Sequence, residues 1–198
     1  MLITSSPTRI DLAGGTLDIF PLYLFEEGGL TVNMAVNIKS IVQIQKIPWR
    51  KIVLESKDLG ICLESENAGE LPLGAGLDLL ARVVHFFNPA PGLKITTTSN
   101  APPGGGLGAS SSLLMSLMFS LNKITGKGYT PEEIIDYGAN LEAQTIRVPT
   151  GKQDYYAAVF GGINALFFRV DGIERKKIIP SEGFIQYLEK GLILTFTG

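Results

Sequence analysis

Four groups of residues in this chain have the types and spacing to do chemistry. The first is the run 101–112, APPGGGLGASSS. It joins a predicted strand ending near Thr98 to a predicted helix starting near Ser110. A glycine loop that enters a helix N-terminus is an anion site, because the first helical N–H groups have no intrahelical partners and the helix dipole adds partial positive charge. The glycines let backbone wrap a phosphate without a Cβ clash. The three serines can donate to phosphate oxygens or place a hydroxyl on Mg²⁺. No Gly-Lys-Ser/Thr follows, so this is not a Walker loop, and Ala109 stands where the dinucleotide fingerprint needs its third glycine.

The second group is Arg9, on a short strand, which can offer a fixed and always-charged fork to developing phosphate charge. The third is Asp18, just after the Gly14-Gly15 turn, able to accept from a pair of sugar hydroxyls. The fourth is the acidic pair Glu142 and Asp154. Pro149 and Gly151 lie between them, so the chain can turn back and bring both carboxylates to one site. Phosphoryl transfer needs Mg²⁺ on the phosphates, positive charge near the γ-phosphoryl, and a carboxylate for the acceptor hydroxyl. Glu142 suits the metal role and Asp154 the base role.

Composition narrows the field. The 198 residues carry 17 Lys+Arg against 19 Asp+Glu, so no basic excess exists to neutralise a phosphate backbone, and nucleic acid is not expected as a partner. No apolar run reaches the roughly 18–20 residues of a membrane helix, and 1–12 lacks the pattern of a secretory signal. The expectation is a cytoplasmic globular protein with no membrane partner. The single cysteine, Cys62, and the single histidine, His85, leave no Cys-based zinc site and disfavour Ser-His-Asp chemistry. The 23 glycines are clustered, which marks tight turns or close backbone approach.

The elements that must position these groups read as α+β. Strands are expected at 2–5 and 9–12, around Pro7. Alternating apolar residues over 30–47 predict one or two strands, and 52–55 with 61–64 a small hairpin. A strand is expected at 93–98. Helices are expected at 77–87, stopped by Asn88-Pro89, and from Ser110 to about Lys123. Thr130-Pro131-Glu132-Glu133 is a helix start with a capping box and should run to about Gln144. Strands are expected again at 162–170, 175–179 and 191–197. The last of these stops at the chain end, which predicts a fragment, or half of a two-domain protein. His85 is expected to pack on its helix, and Trp49 to sit at a hairpin tip. Lys152 is either solvated or a contact for a substrate phosphate.

Three of these stretches resemble the signatures of the GHMP kinases, the small-molecule kinases that include galactokinase, homoserine kinase, mevalonate kinase and phosphomevalonate kinase. Pro102, Gly106, Leu107, Gly108 and Ser110 match the family's Pro-x-x-x-Gly-Leu-Gly-Ser-Ser-Ala, with Ala109 in place of its first serine. The stretch 7–18 is similar to the first signature, in the form found in heptose-phosphate and fucose kinases. Residues 151–162, GKQDYYAAVFGG, are similar to the segment that supplies the catalytic carboxylate.

The resemblance implies an α+β N-terminal domain of the ribosomal protein S5 domain 2-like type over 1–180. It also implies the start of a ferredoxin-like C-terminal domain at 181–198, whose remainder is missing. It implies an ATP-dependent sugar kinase, with a small-molecule sugar as partner and an anomeric hydroxyl, as on a heptose 7-phosphate, as acceptor. The implied catalytic residues are Asp154 and Arg9. Pro103, Gly104, Gly105, Gly106, Leu107, Gly108, Ala109, Ser110, Ser111 and Ser112 would hold ATP. Asp18, with Gly15 and Thr16, would hold the sugar, and Glu142 with Ser110 or Ser111 would hold Mg²⁺. Two rivals stay open: an isoprenoid-pathway kinase of the same family, against which Arg9 weighs, and a non-catalytic nucleotide-binding module.

Overall fold

The computed structural model describes residues 1–102 and 104–195. Pro103, counted above in the ATP loop, and the last residues of the 191–197 segment lie outside the described residues. The chain folds as β1 (Leu2–Ala13), α1 (Leu22–Phe25), β2 (Gly29–Ile47), β3 (Ile52–Ser56) and β4 (Ile61–Ser65), followed by α2 (Asp78–Phe87) and β5 (Gly92–Ser99). Then come α3 (Ala109–Thr125), α4 (Pro131–Ile146), α5 (Gln153–Phe160), β6 (Ile163–Arg169), β7 (Gly172–Ile178) and α6 (Glu182–Gly191).

One sheet runs in the order β4-β3-β5-β2-β6-β7, and β1 also pairs with β2. Among the described residues only β3 and β5 pair in parallel. The centre is β2, a single strand that pairs with β1 along most of its length, with β6 through its first part and with β5 through its last. Pro7 does not split β1 in two; it falls at a register shift between Pro7 and Thr8, where the missing N–H can be absorbed. The predicted period of two shows in burial: Val42 and Ile44 point into the core with Leu93, Ile95, Ile52 and Leu54.

Helices α2, α3 and α4 cover the sheet through Leu80, Val84, Leu114, Leu117, Met118, Leu121 and Ile134. The capping box of α4 is formed as the sequence predicts: Thr130 Oγ1 accepts from the Glu133 N–H, and the Glu133 carboxylate accepts from the Thr130 N–H. His85 packs on α2 with Nε2 2.9 Å from the Leu71 carbonyl, and Trp49 is exposed in the turn before β3. Two helices depart from the expectation. Residues 153–160 form α5 and 182–191 form α6, neither of them expected; the strand expected from 191 is not found, since Gly191 ends α6 and 192–195 hold no strand. Ser181 caps α6 by accepting from the Phe184 N–H, a local bond that a strand could not keep.

Candidate functional site

The glycine loop comes first. Gly104, Gly106 and Gly108 all have left-handed backbone, with φ of 72°, 67° and 69°. At Gly104 and Gly106 no atom stands within 4 Å of where a Cβ would be, so the loop presents open backbone. Gly108 is the N-cap of α3 and makes no side-chain cap bond. The first-turn N–H groups at Ala109, Ser110 and Ser111 therefore end at the loop with no side chain spent on them. Ser112 is different. Its N–H already bonds Gly108 O, and its fully buried hydroxyl donates to Ser6 O at 2.7 Å. This corrects the expectation that all three serines serve the loop: at 100° per residue, the third one turns under the helix onto β1.

Beside the loop lies a cavity of about 550 Å³. Its walls are Leu59, Leu77, Leu79, Leu80 and Leu113, with Ser56, Asp58, Ser99, Gly104, Ala109 and Ser110 among its polar and loop edges. An apolar slot with few polar groups, opening onto a backbone anion cradle, has the chemistry of a nucleotide pocket.

Arg9 projects from β1 and ties two parts of the site together. Its Nε donates to Asp154 Oδ1 at 2.6 Å, and its Nη1 donates to Gly106 O at 2.8 Å. Its own N–H bonds Leu107 O. The fork is thus engaged by the carboxylate and by the loop. Asp154 stands in the first turn of α5 with a mostly buried side chain. Burial raises its carboxyl above the ordinary carboxylate value; Arg9 works the other way, and Glu142 and Asp11 add to the rise. Gly108 leaves room for it, since a Cβ there would stand 2.8 Å from Asp154 Oδ2.

Asp18 closes a 3₁₀ turn over Gly15–Asp18 and is buried. Its Oδ2 accepts from the Gln153 N–H at 2.9 Å. Desolvation raises this carboxyl as well, against the Gln153 bond, with Asp154 nearby adding to the rise. Gln153 Nε2 donates to Gly15 O at 2.9 Å and to Asp11 at 3.4 Å. Residues 18 and 154 therefore meet through Gln153. The neighbouring Thr16 belongs to the same turn. Gly14 needs its missing Cβ more than Gly15 does: a Cβ there would lie 2.7 Å from Thr31 Cα. Lys152 is paired with Asp136 at 2.6 Å, an ion pair that neither sequence reading named.

Glu142, nearly buried on α4, accepts from Ser110 Oγ at 2.7 Å, from Ser111 Oγ at 3.4 Å and from the Tyr155 hydroxyl. These are hard oxygen donors. A carboxylate with one or two hydroxyls, at the mouth of a phosphate cradle, fits Mg²⁺ that takes its other ligands from phosphate and water. No group of three or more His, Cys, Asp or Glu is gathered among the described residues, so a cage made by protein alone is not what this geometry offers.

Two features were not singled out from sequence. Asn33 and Asn164 are fully buried cross-strand partners on β2 and β6. Asn33 Nδ2 donates to Gln153 O and Asn164 Nδ2 to Gly161 O, so the pair holds α5 at both ends. Gly151 lies against Asp18, and a Cβ there would lie 2.5 Å from its Cγ. Polar residues at buried strand positions are the signal that could have drawn attention to the asparagines.

The family model for the N-terminal domain of GHMP kinases matches residues 51–162, more than half of the chain. The chain belongs to the GHMP kinases. It is 30% identical, over 98% of its length, to the D-glycero-alpha-D-manno-heptose 7-phosphate kinase of Campylobacter jejuni, and spans 59% of that protein. It is 28% identical over 81% of its length to the L-fucokinase/L-fucose-1-P guanylyltransferase of Bacteroides fragilis, of which it spans 20%. The crystal structure of a D-glycero-D-manno-heptose 1-phosphate kinase from Bacteroides thetaiotaomicron superposes with a TM-score of 0.85 at 26% identity. That match covers 95% of this chain and 63% of the other. The α+β fold expected from the sequence is the fold found in these kinases. No helix among the described residues is long and apolar enough to cross a membrane.

Proposed function

We propose that this chain carries the ATP-binding and catalytic residues of a sugar kinase that phosphorylates an anomeric hydroxyl, as on a heptose 7-phosphate. The observation that carries the reading is Arg9, which joins Asp154 to the glycine loop at Gly106. An acceptor base and a phosphate cradle share one guanidinium, which is what direct transfer between two bound substrates needs.

In this reading the apolar cavity takes the adenosine of ATP, and the loop N–H groups from Gly104 to Ser111 cradle its phosphates. Mg²⁺, held by Glu142 with Ser110 or Ser111, would neutralise phosphate charge. Asp18, with the Gly15–Thr16 turn, orients the sugar. Asp154 accepts the proton of the attacking hydroxyl as its oxygen bonds the γ-phosphorus and the bond to the ADP oxygen breaks. Burial raises the Asp154 carboxyl on balance, and the Arg9 charge opposes that rise and favours the ionised form that can take the proton. The reading puts the chain in the cytoplasm, with ATP as donor. Its support from relatives is the similarity to the heptose 7-phosphate kinase and the fucokinase above.

The test is ³¹P NMR of the protein with Mg·ATP and a panel of sugars and sugar phosphates. A new phosphomonoester coupled to an anomeric proton is expected with one sugar class. ATP binding without any new phosphoester would refute the reading.

A further inference from the structure

Glu142 is held by more hydrogen bonds than any role as a simple charge requires, and one of them comes from a residue with no part in the reaction above. Tyr155 is fully buried, and its hydroxyl donates to Glu142 Oε2. Ser110 takes the other oxygen, Oε1, at 2.7 Å. The two carboxylate oxygens are thus distinguished: one faces the interior, the other lies beside the first helical serine at the glycine loop. A glutamate has three side-chain torsions and would otherwise turn freely about the last of them. Tyrosine is rigid, with two torsions, and a buried phenol needs an acceptor.

The placing of Tyr155 in sequence adds a second point. It follows Asp154 directly on α5, whose two ends are fixed by Asn33 and Asn164. Adjacent helical residues diverge by about 100°. Asp154 turns to Arg9 and Tyr155 to Glu142, so one short helix sets both carboxylates.

We propose that Tyr155 is a positioning residue for the divalent cation: its hydroxyl fixes Glu142 Oε2 so that Oε1 and Ser110 form a preset half-site at the glycine loop. This rests on the kinase reading above. Outer groups of this kind typically change metal affinity by about 10–100-fold.

The test is Tyr155→Phe, read without turnover. Mn²⁺ is titrated by electron paramagnetic resonance in the presence of ADP, and ADP affinity is measured separately in chelator. The expected result is Mn²⁺ bound about 10-fold more weakly, with ADP affinity in chelator within about 2-fold of wild type. In a Glu142→Gln background, Tyr155→Phe should add no further loss. Mn²⁺ affinity equal to wild type in Tyr155→Phe overturns the proposal. A second measurement needs no variant to fold: ¹⁹F NMR of the wild-type chain labelled with 3-fluorotyrosine. Mg·ADP must move the Tyr155 resonance beyond the effect of ADP alone, and an unmoved resonance overturns the proposal while leaving the kinase reading standing. Failure of the wild-type chain to bind ADP at all would overturn both.

Discussion

Replacing Gly151 with alanine tests whether Asp18 belongs to the acceptor site. The added Cβ would stand 2.5 Å from both Cγ and Oδ1 of Asp18, whereas ordinary contact begins at 3.4 Å, so the carboxylate must retreat by roughly 1 Å. The Asp18 side chain is buried and has nowhere easy to go. Its bond from the Gln153 N–H, 2.9 Å long, is the first to break, and hydrogen bonds to charged groups contribute about 1.5–3 kcal/mol. Displacing a substrate-orienting group by about 1 Å costs on the order of 10²-fold in rate. The expected result is an acceptor kcat/KM reduced about 100-fold in a coupled ADP-release assay, with nucleotide affinity unchanged, because the glycine loop is held separately by Arg9 and β1. Overpacking of about 1–3 kcal/mol should also lower Tm by a few degrees. Adding Asp18→Ala to Gly151→Ala removes the collision, so Tm should recover while turnover stays low. A folded Gly151→Ala protein with acceptor kcat/KM within about 3-fold of wild type would refute the assignment of Asp18 to the sugar.

Three further outcomes follow from the same geometry. Asp154→Asn should lower turnover by about 10²–10⁴-fold while nucleotide binding, followed by a fluorescent ATP analogue, stays near wild type. Ser112→Ala removes a buried hydroxyl bond to the Ser6 carbonyl and should cost about 0.5–1.5 kcal/mol in denaturant unfolding, with little change in nucleotide affinity. The folded-state carboxyl of Asp18 lies above its ordinary 3.8, so the folded state binds the proton more tightly than the unfolded chain does. Its contribution to stability is greatest below 3.8 and is lost as pH rises through the raised value. Asp18→Asn should therefore raise Tm at neutral pH, by about 2–4 °C for each kcal/mol relieved, and raise the acceptor KM. A Tm lower than wild type at pH 7 would contradict that sign.

The parts of the fold written in local chemistry were legible from the residues. Thr130-Pro131 starts a helix, the β-rich 93–98 run forms a strand, and Gly104, Gly106 and Gly108 adopt positive φ where a loop must turn into a helix. Helix α5 was not legible. Lys152 gives it no side-chain cap, and Tyr155, Tyr156 and Val159 favour strands, so the helix forms because distant asparagines hold its two ends. The apolar residues after Gly191 suggested a strand, and hid the Ser181 cap that starts α6. Within the site, residue types singled out Arg9, Asp18, Glu142 and Asp154 and the attraction of Arg9 for Asp154, but not the links that join the others. Gln153 as the bridge, Tyr155 as the third donor to Glu142, and Ser112 as a clasp on β1 all depend on which face a side chain takes after packing.

Arg9 and Asp154 are 145 residues apart in the chain. At about 5–20 residues per second, the ribosome needs roughly 7–30 s to make the second after the first. During that interval β1 can already pair with β2, which follows it closely, so the Arg9 cation waits on a finished hairpin with no carboxylate opposite it. The ion pair closes only once α5 has emerged. The chain thus gains its charge-paired centre late in synthesis, and a nascent polypeptide stalled anywhere before residue 154 would display a guanidinium that any passing polyanion could occupy.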